Sequence, residues 1–200
     1  MRRRPKTALR YDPDVPGTCP PPQLTYLRPE DFPEVEAIEA SSFEAGWTPT
    51  AFQREIETNR LARYIVVREG GSGRIVGFAG LWLVDDEAHI VTVAVSPEER
   101  RHGYGRLLVH GLIELARAEG MDSATLECRE SNDAARSLYA KYGFYEVGRR
   151  DRYYADNGED AVIMTTEALD SPAYRKRLER LASDLEARWP GVRFSPAETP

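Results

Sequence analysis

The chain has 200 residues, 41% hydrophobic and 30% charged, with 27 basic against 33 acidic side chains and a net charge of −6 at neutral pH. That length fits one domain with tails, and the composition is that of an ordinary globular protein. The acidic balance argues against nucleic acid as the principal ligand, since counterion release could not drive binding, and apolar stretches such as Ile90–Val95 fall far short of the roughly 20 residues a membrane helix needs.

The first 22 residues hold six of the fourteen prolines (Pro5, Pro13, Pro16, Pro20, Pro21 and Pro22) and no apolar period, so residues 1–22 are expected to form a flexible tail. Arg2, Arg3 and Arg4 are followed by no apolar run of the signal-peptide kind, which points to the cytoplasm. A strand is predicted over Leu24–Arg28, then a helix on Phe32, Val35 and Ile38. Thr48-Pro49 reads as a cap and first turn, with Phe52 and Ile56 as the buried face of a short helix. Strands at Arg63–Arg68, Ile75–Val84 and His89–Ser96 then make an antiparallel meander. Past Pro97 the period becomes helical, with Leu107, Leu108, Leu112 and Leu115 on one side and Gly120 as the stop. A strand at Ala124–Arg129, a helix over Ser131–Lys141, and strands at Tyr145–Tyr154 and Ala161–Thr166 about an Asn157-Gly158 turn complete a domain placed at residues 23–168. Residues 169–200 carry a capped amphipathic helix bearing Tyr174, Leu178, Leu181, Leu185 and Trp189, whose stripe needs either the domain's own surface or a dimer partner. The expected class is α/β (α+β): a mixed sheet flanked by helices, plus this C-terminal helix.

The segment between the third strand of the meander and the following helix carries the strongest chemical signal. Arg100, Arg101, His102, Gly103, Tyr104, Gly105 and Arg106 join two glycines and several cations at a helix N-terminus, where free N–H groups suit a pyrophosphate. The P-loop pattern fails for lack of a Gly-Lys-Ser/Thr ending, and the dinucleotide fingerprint fails because Leu108 stands where its third glycine belongs. Downstream, Glu127, Asn132 and Tyr139 fall in order before Gly143-Phe144. Cys19 and Cys128 lie far apart with no CxxC pattern, so neither a disulfide framework nor a metal site is expected.

The Arg-x-x-Gly-x-Gly spacing and the run from Glu127 to Phe144 resemble the GCN5-related N-acetyltransferases, the GNAT superfamily. Arg152–Met164 and the Trp47-Thr48-Pro49 turn are similar to its RimI-like, N-terminal acetyltransferase subgroup. The resemblance covers about Leu24 to Glu167 and implies the GNAT fold, with a central sheet of about seven strands. It implies an enzyme that uses acetyl-CoA without a metal to acetylate an amine directly, most simply the N-terminus of a ribosomal protein. A small-molecule amine as acceptor, or a CoA-binding regulatory module without turnover, are the alternatives.

By the same resemblance Glu127 is the general base and Tyr139 the partner of the leaving thiolate. Val93, Ala94 and Val95 pair with the pantetheine arm, Arg100–Arg106 and Asn132 hold CoA, and Trp47, Tyr153 and Tyr154 flank the acceptor. Each position also has an ordinary structural role open to it. Glu127 can be a solvent-facing strand carboxylate, Tyr139, Tyr153 and Tyr154 can be packing aromatics, Asn132 a helix cap, and Val93–Val95 a buried strand. The three histidines are read as structural or solvated, and Cys128 as pointing to the face opposite Glu127.

Overall fold

The computed structural model describes residues 20–43 and 48–194. Seven strands form one sheet: β1 (Gln23–Tyr26), β2 (Ala62–Arg68), β3 (Ile75–Val84), β4 (Glu87–Val95), β5 (Ser123–Arg129), β6 (Tyr145–Tyr154) and β7 (Glu159–Thr165), in the spatial order β1-β2-β3-β4-β5-β7-β6. Every neighbouring pair is antiparallel except β4 with β5, so the sheet is mixed. Five α-helices accompany it: α1 (Phe32–Ser42), α2 (Pro49–Thr58), α3 (Tyr104–Ala118), α4 (Asp133–Lys141) and α5 (Pro172–Arg188).

The helix starts follow local chemistry. Thr48 accepts from the Ala51 N–H at 3.3 Å, Asn132 from the Ala135 N–H at 3.0 Å, and Ser171 from the Tyr174 N–H at 3.1 Å, each satisfying a donor that a helix leaves orphaned. α1 and α2 cover one face of the sheet, where Val35, Ile38 and Phe52 pack with Val66, Phe78 and Ala94. α3 covers the other, packing Leu107, Leu108 and Leu112 with Ile65, Val67, Leu81, Ile90 and Leu126.

The stripe of α5 is spent within the molecule, since Tyr174, Leu178, Leu181 and Leu185 join the α3 cluster. Two buried phenols fasten it: the Tyr174 hydroxyl donates to the Tyr142 carbonyl at 2.8 Å, and the Tyr142 hydroxyl donates to the Arg106 carbonyl at 2.7 Å. The expected tail at 1–22 is corrected at its end. Pro22 is buried beside β1, and a Cβ on Gly70 would overlap the Pro20 carbonyl, so 20–22 belong to the packed body.

The feature that positions the candidate site is where the sheet parts. β4 and β5 pair over four residues, from Glu87↔Ser123 to Ile90↔Leu126, and no further. Beyond that point β4 stays with β3 to Val95, while β5 stays with β7 to Arg129. A register shift between Gly80 and Leu81 leaves Val91 as an extra residue in β4 just after the last pair, and such a bulge bends a strand away from its neighbour.

Candidate active site

The diverging edge of β4 carries Val93, Ala94 and Val95. Their side chains are committed to packing: Ala94 is buried toward α1 and α2, while Val93 and Val95 lean on the α3 cluster. What remains toward β5 is backbone, and an unpaired strand edge binds an amide-bearing chain by the hydrogen bonds it would give another strand.

Glu127 does not lie on a solvent face. Its side chain is 7% exposed, with Oε2 at 3.0 Å from His89 Nε2 and Oε1 at 3.0 Å from an Arg150 guanidinium nitrogen. The His89 hydrogen bond leads in holding this carboxyl below the usual carboxylate range, and the charge and hydrogen bond of Arg150 add to it against the opposing effect of burial. Of the structural and solvated readings open to His89, the structural one holds: the ring is largely buried and bonded to the site carboxylate. His89 pairs in register with Thr125, so Glu127 is its diagonal neighbour on the same face, and its ring stacks on Trp82 with centroids 6.2 Å apart. The Trp82 indole in turn donates to Glu55 at 2.6 Å. Neither His89 nor Arg150 belonged to the expected site, because their approach to Glu127 depends on strand register and on the β6–β7 hairpin.

Tyr139 approaches from the opposite face. It is buried in the α3 cluster with Leu126 and Cys128, its ring edge-on to Phe144 with centroids 5.7 Å apart, and burial pushes its hydroxyl pKa well up. The alternation that sends Cys128 away from Glu127 holds, but it puts the thiol on the face of Tyr139. Face alone therefore does not separate Cys128 from the chemistry. Burial raises its pKa, which makes it a poor nucleophile.

The loop before α3 takes shape from two left-handed residues, Arg101 at φ 67° and Gly103 at φ 103°, the second being the N-cap of α3. Arg100 donates to the Val95 carbonyl at 3.2 Å, His102 Nδ1 is 3.5 Å from Glu99, and Arg106 reaches Asp184 of α5 at 3.3 Å. Tyr104 is buried under the Trp189 indole. Gly105 opens the first turn with space beside it, a Cβ there meeting Leu138 at 3.5 Å. Asn132 caps α4, so its structural role is realised.

Of the expected acceptor residues, Trp47 lies outside the described residues. Tyr153 is exposed, with the Arg150 guanidinium 5.6 Å from its ring centre, so it stands one residue removed from Glu127. Tyr154 takes the Arg129 guanidinium 3.9 Å over its ring, and burial pushes its hydroxyl up to about 12. Among the described residues no cluster of His, Cys, Asp and Glu could hold a metal ion, and no helix is long and apolar enough to cross a membrane.

Against known proteins, the acetyltransferase (GNAT) family pattern matches residues 32–144. A Bacillus subtilis (strain 168) protein provisionally assigned as ribosomal protein bS18-alanine N-acetyltransferase is 41% identical over 138 residues, 69% of this chain and 90% of the relative. The N-alpha-acetyltransferase RimI of Mycobacterium tuberculosis (strain H37Rv) is 37% identical over 128 residues, 62% of this chain and 77% of that protein. The crystal structure of the ribosomal-protein-S18-alanine N-acetyltransferase from Escherichia coli superposes with a TM-score of 0.66 at 31% identity, covering 72% of this chain and 92% of that one.

Proposed function

Since the chain belongs to the GNAT family of acetyl-CoA-dependent N-acetyltransferases, we propose that its acceptor is the α-amino group of a protein N-terminus, as it is for the bS18-alanine relatives. Ribosomal proteins are made in the cytoplasm, and we assign the reaction there. The observation that carries the chemistry is the parting of β4 from β5, with the Glu127 carboxylate on one face of the gap and the Tyr139 phenol on the other.

In this reading the pantetheine arm lies along the free edge of Val93–Val95, and the CoA pyrophosphate rests on the Arg100–Arg106 loop. Asn132 faces the arm from the start of α4. The thioester carbonyl then sits where the strands part. The neutral amine attacks that carbonyl, a C–N bond forms, and the amine's surplus proton passes to Glu127 directly or through a water. His89 and Arg150 keep the carboxylate ionised and aimed.

Collapse breaks the C–S bond and expels the thiolate. Tyr139 meets it as a hydrogen-bond donor rather than a full acid, because a phenol with a raised pKa holds its proton more tightly than a thiol of pKa about 8.5 does. Tyr153 and Tyr154 flank the acceptor's first residues from the β6–β7 hairpin. The solved small-amine acetyltransferases that superpose on this chain, at 24% identity or less, share its fold and add nothing on the acceptor.

The test is competition among acceptors. A peptide with a free N-terminal alanine is expected to exceed both its N-blocked, lysine-containing analogue and spermidine in kcat/KM, read by thiol release. A preference for spermidine would transfer the assignment to small-molecule acetylation.

A further inference from the structure

Where α5 ends, it touches the Arg100–Arg106 loop, the proposed seat of the pyrophosphate. Trp189, the C-cap of α5, stacks on Tyr104 with ring centroids 5.3 Å apart and planes 17° from parallel. That stack delivers the last residue of the helix, Arg188, to the turn before α3. A Cβ built on Gly103 would lie 3.2 Å from Arg188 Nε and 3.4 Å from its Cδ, so the side chain rests on the backbone of the N-cap residue itself. The guanidinium also lies 5.1 Å from the Trp189 ring centre, sharing the aromatic surface that holds the helix end.

Among the described residues no carboxylate within 4.0 Å neutralises Arg188, nor Arg101 of the loop itself, whereas three other arginines nearby are engaged. Arg106 pairs with Asp184, Arg74 with Glu99, and Arg100 with the Val95 carbonyl and the Ser42 hydroxyl. An exposed guanidinium with no ion pair among the described residues thus leans on the first turn of α3, where N–H groups and the helix dipole already favour negative charge.

We propose that Arg188 is a ligand of the CoA phosphates, so that the C-terminal helix, which lies beyond the span matched by the family, completes the cosubstrate site. The proposal rests on the assignment of CoA to the Arg100–Arg106 loop. Guanidinium is suited to the task because its planar fork pairs with two phosphate oxygens at once. Aromatic contact holds the stem near its working position, which reduces the ordering cost of binding.

The experiment is calorimetric titration of the full-length protein and its Arg188→Gln and Arg188→Lys variants with CoA and with dephospho-CoA, alongside melting curves. Arg188→Gln is expected to weaken CoA by about five- to tenfold, the range between an exposed ion pair and a charge-assisted hydrogen bond. Arg188→Lys, which keeps the charge but loses the fork and the aromatic contact, is expected to fall between the wild type and Arg188→Gln, and neither variant shifts the melting temperature. A loss confined to CoA identifies the 3′-phosphate as the partner, and an equal loss on both ligands identifies the pyrophosphate; either supports the proposal. Undiminished affinity of a folded Arg188→Gln for both ligands overturns it while leaving the CoA assignment standing. If the unmodified protein binds neither ligand, both fall together.

Discussion

Glu127 shows how one side chain's surroundings set the pH behaviour of the reaction proposed for it. A carboxyl held below its usual range by His89 and Arg150 is ionised throughout the neutral region, so it contributes no rising limb there. The acceptor α-amine, with a pKa of about 7.7–8.0, must lose its proton before attack, so its deprotonation should appear in kcat/KM between pH 6 and 9. We expect a rising limb that moves with the acceptor's own pKa when the peptide is changed; a limb indifferent to the acceptor would sink the assignment. Glu127→Gln keeps the shape but removes the base, at a cost of about 10²–10⁴-fold in kcat with acetyl-CoA affinity little changed. Tyr139→Phe should lower kcat more than the KM for acetyl-CoA, and wild-type turnover in both mutants would reject both roles.

His110 offers a second test at this scale, on stability. It is 1% exposed on α3, against Tyr142 and Phe194, and burial together with Arg106 and Arg117 lowers its pKa from 6.5 to about 4, while Glu114 at 3.9 Å gives little relief. A histidine depressed in the folded state binds its proton more readily once unfolded. Its contribution is therefore complete above pH 6.5, shrinks as pH falls, and is spent below about 4. Urea melts of the wild type should lose about 2 kcal/mol from this group between pH 7 and pH 5, and His110→Phe should flatten that slope. A slope unchanged in the variant would show that other groups carry it.

At the scale of elements, α5 behaves as part of the core although it follows the family domain. Leu185 is fully buried, and Leu185→Ala should cost about 2–4 kcal/mol, the range for removing a packed leucine side chain. Deleting residues 170–200 strips the cover from α3 and leaves the Tyr142 carbonyl without the Tyr174 hydroxyl, so a marked fall in melting temperature is expected. A truncated chain that melts like the wild type would contradict the docking. Helix positions, caps and the meander were legible beforehand because they follow from local spacing: Thr48, Asn132 and Ser171 cap as their neighbours dictate. The strand order was not legible. That β7 lies between β5 and β6, and that His89 meets Glu127, follow from pairings between distant segments, to which a period of two or 3.6 residues gives no register. The contact of Arg188 with Gly103 was hidden for the same reason, and of the two surfaces open to the stripe it is the domain's own that covers Tyr174, Leu178, Leu181 and Leu185.

For the molecule as a whole, the parting of β4 and β5 divides the sheet into a four-strand half and a three-strand half, joined by four ladder pairs and by α3, whose leucines pack with residues of both. A ligand that runs along Val93–Val95 while touching the α3 loop and Tyr139 would supply contacts the sheet itself leaves unmade. Binding should therefore stabilise the folded state by mass action, about 2.7 kcal/mol at a hundredfold excess over Kd. The added protection should not be uniform. Hydrogen exchange is expected to slow most in the Val91–Val95 stretch, whose edge toward β5 is free, and at the first turn of α3. The β2–β3 ladder, paired along its length, should slow only with the global rise in stability. If acetyl-CoA instead protected every strand equally and left Val91–Val95 no slower than β2, the cosubstrate would not be lying along that edge, and the place given to the thioester between the two halves would have to be abandoned.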